Sequence, residues 1–134
     1  MHTGGIMQYT FSKTLDTTFE EAEARVTDAL KAEGFGILTE IDVKATLKKK
    51  LDVDFRPYRI LGACNPALAH KALQAEPRIG AMLPCNVIVQ ATEDGRVEVS
   101  AIDPIASMQA IDNPALGEVA GAVQAKLQHV IDQL

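Results

Sequence analysis

Cys64 and Cys85 are the only thiols in the chain, and each is followed by an asparagine, in "LGACNPALAHKAL" at 61–73 and "LPCNVIVQA" at 83–91. Cys64 lies just before a helix start. There, oriented N–H groups and the positive end of the helix dipole stabilise thiolate, which makes it a candidate nucleophile or soft-metal ligand. The same position suits a small apolar side chain closing a strand, since free cysteine is among the most buried residue types. Cys85 alternates with Val87 and Val89, which places it on an apolar strand face. If the strands carrying the two thiols are neighbours, the pair could hold Cu(I), or half of a site shared across a dimer axis. There is no Cys-x-x-Cys, and the spacing from Cys64 to His70 is not a zinc-ligand spacing, so no structural zinc site is expected.

The other titratable side chains offer less chemistry. Asp103 in "SAIDP" ends a strand, where a carboxylate can face a cleft or cap the turn before Pro104. Glu76 in "QAEPRIG" stands at a helix end without an acid–base mate. His70 reads as a solvated helix residue, and His2 and His129 have no recognisable partner. The candidate ligand-binding set is therefore Cys64, Asn65, Cys85, Asn86 and Asp103. Cys64 and Cys85 are the candidate metal ligands, with Met82 or Met108 as accompanying thioethers. No catalytic residue is assigned. No dinucleotide or phosphate loop, nucleophile elbow or His-Glu-x-x-His occurs, which removes the common cofactor and hydrolase classes and leaves any cofactor unknown.

The elements that must position these residues follow from periodicity and punctuation. Alternation predicts a strand over 7–15. Thr17 or Thr18 with Glu20 or Glu21 forms a capping box before the helix of Phe19, Ala22, Val26, Ala29 and Leu30, and Gly34 supplies its left-handed exit. A strand follows over 35–41. Asp42 then caps a helix whose C-terminal lysines, Lys48 to Lys50, complement the helix dipole and read as a solvated end rather than an anion site. A strand over 58–64 runs into Asn65-Pro66, a cap and a first helical residue, and that helix stops at Pro77 and Gly80. Two strands joined by "EDG" at 93–95 form a hairpin with Cys85, Val87, Val89 and Ala91 inward. A short helical or loop segment, "IASMQAI", precedes the last and strongest helix, capped by Asn113, with Leu116, Val119, Ala120, Val123, Leu127, Val130, Ile131 and Leu134 in one stripe. The tetrad Asn-Pro-Ala-Leu at 65–68 and 113–116 is thus one helix-starting device used twice. The order β-α-β-α-β-α-β-β-α predicts an α+β fold: a mixed, mostly antiparallel sheet with helices packed on it, in which βα alternation leaves room for some parallel pairing.

Composition bounds the function. With 134 residues, 47% of them hydrophobic and 23% charged, the chain is expected to form one domain over 7–134 behind a disordered leader over 1–6, with Met7 a candidate start of the structured part. Aromatics are 4% without tryptophan and the net charge is −5. Base stacking and phosphate binding both lack their groups, so no nucleic-acid partner is expected. No run approaches the roughly 18 apolar residues of a membrane span, and no basic segment precedes an apolar run at the N-terminus. A cytoplasmic location with reduced thiols is expected.

The runs "RILGACNPALAHKALQAEPRIGAMLPCNVIV", "VSAIDPIASM" and "NPALGEVAGAV" resemble the bacterial and archaeal domain-of-unknown-function family 302, over most of the chain. The resemblance implies a compact α+β domain with an antiparallel-rich sheet, found as a homodimer, and it supplies no reaction. By motif match it implies that a family site would draw on Cys64, Asn65, Pro66, Glu76, Pro84, Cys85, Asn86, Asp103 and Pro104. Three readings stand together: a small cytoplasmic homodimeric binding module with its site at the Cys64/Cys85 rim, a thiol-dependent redox or soft-metal protein using the same two residues, and an enzyme whose catalytic pair is not evident.

Overall fold

Side-chain caps and glycine exits set the element boundaries in the computed structural model, which describes residues 8–134. The expected leader over 1–6, His2 and Met7 lie outside the described residues. Strand β1, Thr10–Leu15, leads to helix α1, Phe19–Ala32, where the Glu21 N–H donates to Thr18 Oγ1. The helix ends as the sequence predicts. Gly34 has φ +85°, its N–H donates to Lys31 O, and the Phe35 N–H reaches back to Leu30 O at 2.9 Å. These two bonds satisfy carbonyls that a helix end would otherwise orphan, and they turn Phe35 inward.

Strand β2, Gly36–Asp42, passes into helix α2, Val43–Leu51, capped by Asp42 Oδ1 accepting from Ala45 N–H. Lys48 to Lys50 occupy its last turn, exposed, with Lys48 paired to Asp52. Strand β3, Tyr58–Cys64, then helix α3, Pro66–Ala75, are followed by a 3-10 turn over Pro77–Met82. Strands β4, Cys85–Ala91, and β5, Val97–Ile102, form the expected hairpin around Gly95 at φ +82°. The short helix α4, Pro104–Ser107, precedes the long α5, Pro114–Asp132. Asn65 and Asn113 cap α3 and α5, each with proline opening the helix. The repeated tetrad is one capping device used twice.

The five strands form one sheet in the order β1-β5-β4-β3-β2. Every pairing is antiparallel, so the parallel pairing that βα alternation allowed is not used. Helix α2 packs on β2 and β3 and has no fully buried residue, unlike the crossover helix that must cover a parallel unit. Helices α1 and α5 cover the face bearing Leu61, Ala63, Cys85, Val87, Val89, Val97, Val99 and Ala101. Each valine or leucine among them contributes on the order of 1.5–3 kcal/mol relative to exposure. A second, smaller cluster joins Ala72, Ile79, Met108, Leu116 and Ala120. Helix α5 spans both, with Leu116 and Ala120 in the second and Val123, Leu127, Val130 and Ile131 in the first.

Candidate functional site

The ends of β3 and β4 bring the two cysteines together. Ala63 is the register partner of Cys85, and Gly62 that of Asn86, so Cys64 ends its strand beside the start of the other. Gly62 makes this approach possible: a Cβ there would lie 2.7 Å from Pro84 Cγ and would also overlap Thr39 Oγ1. Only a residue without a side chain lets the Pro84 ring lie against the strand. Cys64 is half-buried and Cys85 buried, and both are free thiols.

Both line one cavity of about 310 Å³ at the seam between the two hydrophobic clusters. Each wall has a local cause. The α1 exit delivers Phe35, the Asn65 cap starts α3 so that Leu68, Ala69 and Ala72 face inward, and the α5 stripe supplies Leu116, Val119, Ala120 and Val123. Pro104 and Met108, at either end of α4, complete it. Leu38, Leu73 and Gly80 line it and are also exposed, which marks the mouth.

No charged side chain lines this cavity, and Asn65 brings the one amide. That amide is already used: Oδ1 accepts from Leu68 N–H at 3.2 Å, and Nδ2 donates to Glu33 O at 3.4 Å. Burial first, and the neighbouring Cys64 second, push the Cys85 thiol up to about 11, because a thiolate in apolar surroundings is poorly solvated. Cys85 is therefore a neutral thiol at physiological pH. Among the described residues no group of three or more His, Cys, Asp or Glu side chains is placed to hold a metal. The arrangement can bury hydrocarbon, and it presents thiol and thioether sulfurs from Cys64, Cys85 and Met108 to whatever enters.

Three of the sequence-predicted residues, Cys64, Asn65 and Cys85, meet at the cavity together with Pro84 and Pro104. Others lie elsewhere. Asn86 follows Cys85 on a pleated strand, so its side chain faces the opposite side of the sheet; with Met82 and Ser107 it borders a second pocket that shares only Pro84 and Cys85 with the cavity. Asp103 caps α4, its Oδ1 accepting from Ile105 N–H at 3.0 Å and from Gln124 Nε2 at 3.1 Å. Glu76 accepts from Asn113 Nδ2. Pro66 opens α3 at an exposed position, and His70 is exposed.

The sequence reading missed two things. His129 does have a partner: its Nδ1 lies 2.9 Å from Glu33 Oε2, across 96 residues, a separation no local pattern spans. Arg59 joins Glu23 at 2.7 Å and Asp42 at 3.8 Å. Its guanidinium pKa is held up chiefly by the Glu23 bond, while the Glu40 carboxyl is raised chiefly by a hydrogen bond shared with Glu23. The cavity walls on α5 were visible as an apolar stripe, but periodicity does not say that its first half faces α3 instead of the sheet.

The family described as "Domain of unknown function DUF302" matches residues 11–134. The chain belongs to this family. A DUF302 domain has also been solved as "Crystal structure of uncharacterized conserved protein DUF302 from Bacillus stearothermophilus". It is 29% identical, covers 95% of this chain and 98% of its own, and superposes with a TM-score of 0.87. No curated protein matches the chain. The DUF302 assignment agrees with the observed α+β fold and its antiparallel sheet. Among the described residues no helix is long and apolar enough to cross a membrane.

Proposed function

We propose that this DUF302 chain is a small binding module that works as a cytoplasmic homodimer and takes up an apolar small molecule in the cavity bordered by Cys64 and Cys85. The observation that carries the reading is the cavity itself: about 310 Å³, with walls from three helices, a 3-10 turn and the ends of β3 and β4, and no charge among its lining residues. Its size falls at the lower end of the range for ligand sites, about 300–1,000 Å³. A second copy would pack on the sheet face away from α1 and α5. Ser12, Ser100, Ile88, Ile60 and Ile41 form one row across the other face of the sheet, and Ile41 is 47% exposed.

The test is titration with the neutral dye N-phenyl-1-naphthylamine, read by its fluorescence. Saturable one-to-one binding is expected, weakened at least tenfold by Ala69→Phe, which fills the cavity from its half-buried wall. Absence of saturable binding, or binding indifferent to that substitution in a folded variant, overturns the reading.

A second reading rests on a specific observation: three sulfurs, from Cys64, Cys85 and Met108, border the same space, the donor set that suits Cu(I). It ranks second because Cys85 would have to lose a proton held to about 11 before it could ligate. Anaerobic Cu(I) titration against a competing chelator tests it. Stoichiometric uptake lost in both Cys64→Ser and Cys85→Ser would promote it above the first.

A further inference from the structure

Resting on the reading of the cavity as the binding site, we infer that the ligand it takes is an unbranched alkyl chain of about ten carbons, with its polar end left at the mouth. The chemistry of the wall argues for the chain. Every lining side chain except Asn65 is apolar or a sulfur group, and both polar atoms of Asn65 are committed to Leu68 N–H and Glu33 O. A hydroxyl, amide or carboxylate carried inside would find only the spare capacity of that one amide and weak thiol groups, and a buried polar group short of partners loses hydration that is not made good. Phe35 is the one aromatic residue in the wall, so nothing there selects a flat ring by stacking. An apolar cavity of roughly 150 Å³ holds benzene, with six carbons, so a volume of about 310 Å³ holds a chain on the order of ten carbons.

The mouth argues for the orientation. Leu38 is 66% exposed and Leu73 44%, and both line the cavity. A Cβ on Gly80 would lie 4.0 Å from Leu73 Cδ2, so these two residues sit side by side at the lip. Exposed leucines at a cavity entrance extend its apolar wall outward, leaving solvent as the place for a head group. The recognised feature is the chain. A free fatty acid and a fatty alcohol both present it, and the experiment separates them.

The experiment uses the full chain and displaces bound N-phenyl-1-naphthylamine with two homologous series, linear carboxylates and linear primary alcohols from six to fourteen carbons, each below its micelle-forming concentration. Affinity is expected to rise about fourfold per added methylene and to level off near ten carbons. At equal length, carboxylate and alcohol should differ by less than about threefold, the head group being in water. Ala72→Leu, which enlarges a buried wall residue, should move the break two or three carbons shorter. If that variant does not fold, the wild-type series alone still decides.

Dye binding without displacement by any chain, displacement independent of length, or a rise that continues unbroken to fourteen carbons overturns the inference and leaves the cavity reading standing. A preference of more than about threefold for either head group overturns the solvent-exposed head group. Failure of the dye itself to bind overturns both readings.

Discussion

Asn113 donates from Nδ2 to the carbonyl oxygen of Ala75 at 2.8 Å, so the residue that begins α5 also holds the end of α3. Its Oδ1 meanwhile accepts from Ala115 and Leu116 N–H groups. One side chain thus serves two helix ends that wall the cavity. Asn113→Ala removes the cap and leaves the Ala75 carbonyl short of a partner, a loss of about 2 kcal/mol. Asn113→Asp keeps the accepting oxygen and loses the donor, so it should lie between wild type and alanine. Urea unfolding of the three proteins checks the order, and an alanine variant as stable as wild type would refute the double role.

Gly62→Ala should destabilise by about 2 kcal/mol, because its new methyl group meets the Pro84 ring and Thr39 in a well-packed strand pair. Adding Thr39→Ala should recover part of the loss and not all, since the Pro84 contact remains. Thermal melts of the single and double variants decide. Full recovery would mean that Pro84 can move aside freely.

The Cys85 thiol gives a pH signature. Held up to about 11 when folded, it ionises at about 8.5 in an unfolded chain. Between those values the unfolded state binds fewer protons, so this stabilisation is fully present below about 8.5 and is lost as pH rises to 11. The slope approaches about 1.4 kcal/mol per pH unit. Cys85→Val should lack it, so the stability difference between the two proteins should shift by about 2 kcal/mol or more across the window. Parallel curves would show that burial does not hold this proton.

Accessibility separates the two thiols at neutral pH. Cys85 is 8% exposed and protonated, so a thiol reagent should modify the half-buried Cys64 first and Cys85 much more slowly. Mass spectrometry after timed labelling reads this directly. Early Cys85 adducts would mean that the reagent reaches this thiol through the cavity mouth without unfolding.

In the proposed dimer, sedimentation at micromolar concentration should give about twice the 14.4 kDa chain mass. Ile88→Lys, in the middle of the row of serines and isoleucines on the other sheet face, should return it to one chain. A wild-type mass near 14.4 kDa refutes the dimer.

Much of this was legible in the residues because it is local. Asp42, Asn65 and Asn113 cap the helices they precede, and Gly34 ends α1, since a cap contacts backbone two or three positions away. The inward face of β4 followed from a period of two. The meeting of Cys64 and Cys85 required the β3–β4 pairing, which the sequence allowed without requiring. Asp103 and Asn86 were candidates by position along the chain, yet a cap and a strand pleat turn them from the cavity. The Glu33–His129 pair and the Asn113–Ala75 bond join residues 96 and 38 apart. Only tertiary packing creates such partners.

The position of β1 at the sheet edge beside β5 has a kinetic consequence. Ser12 and Ser100 bond across 88 residues, so the first strand has no neighbour strand until the last one has been synthesised. At about 5–20 residues per second, a ribosome would leave that strand waiting roughly 4 to 18 seconds. Closing so long a loop makes this pairing a late, slow event in folding. Its alternation of Thr10, Ser12 and Thr14 with Phe11, Lys13 and Leu15 keeps half of its surface compatible with water in the meantime.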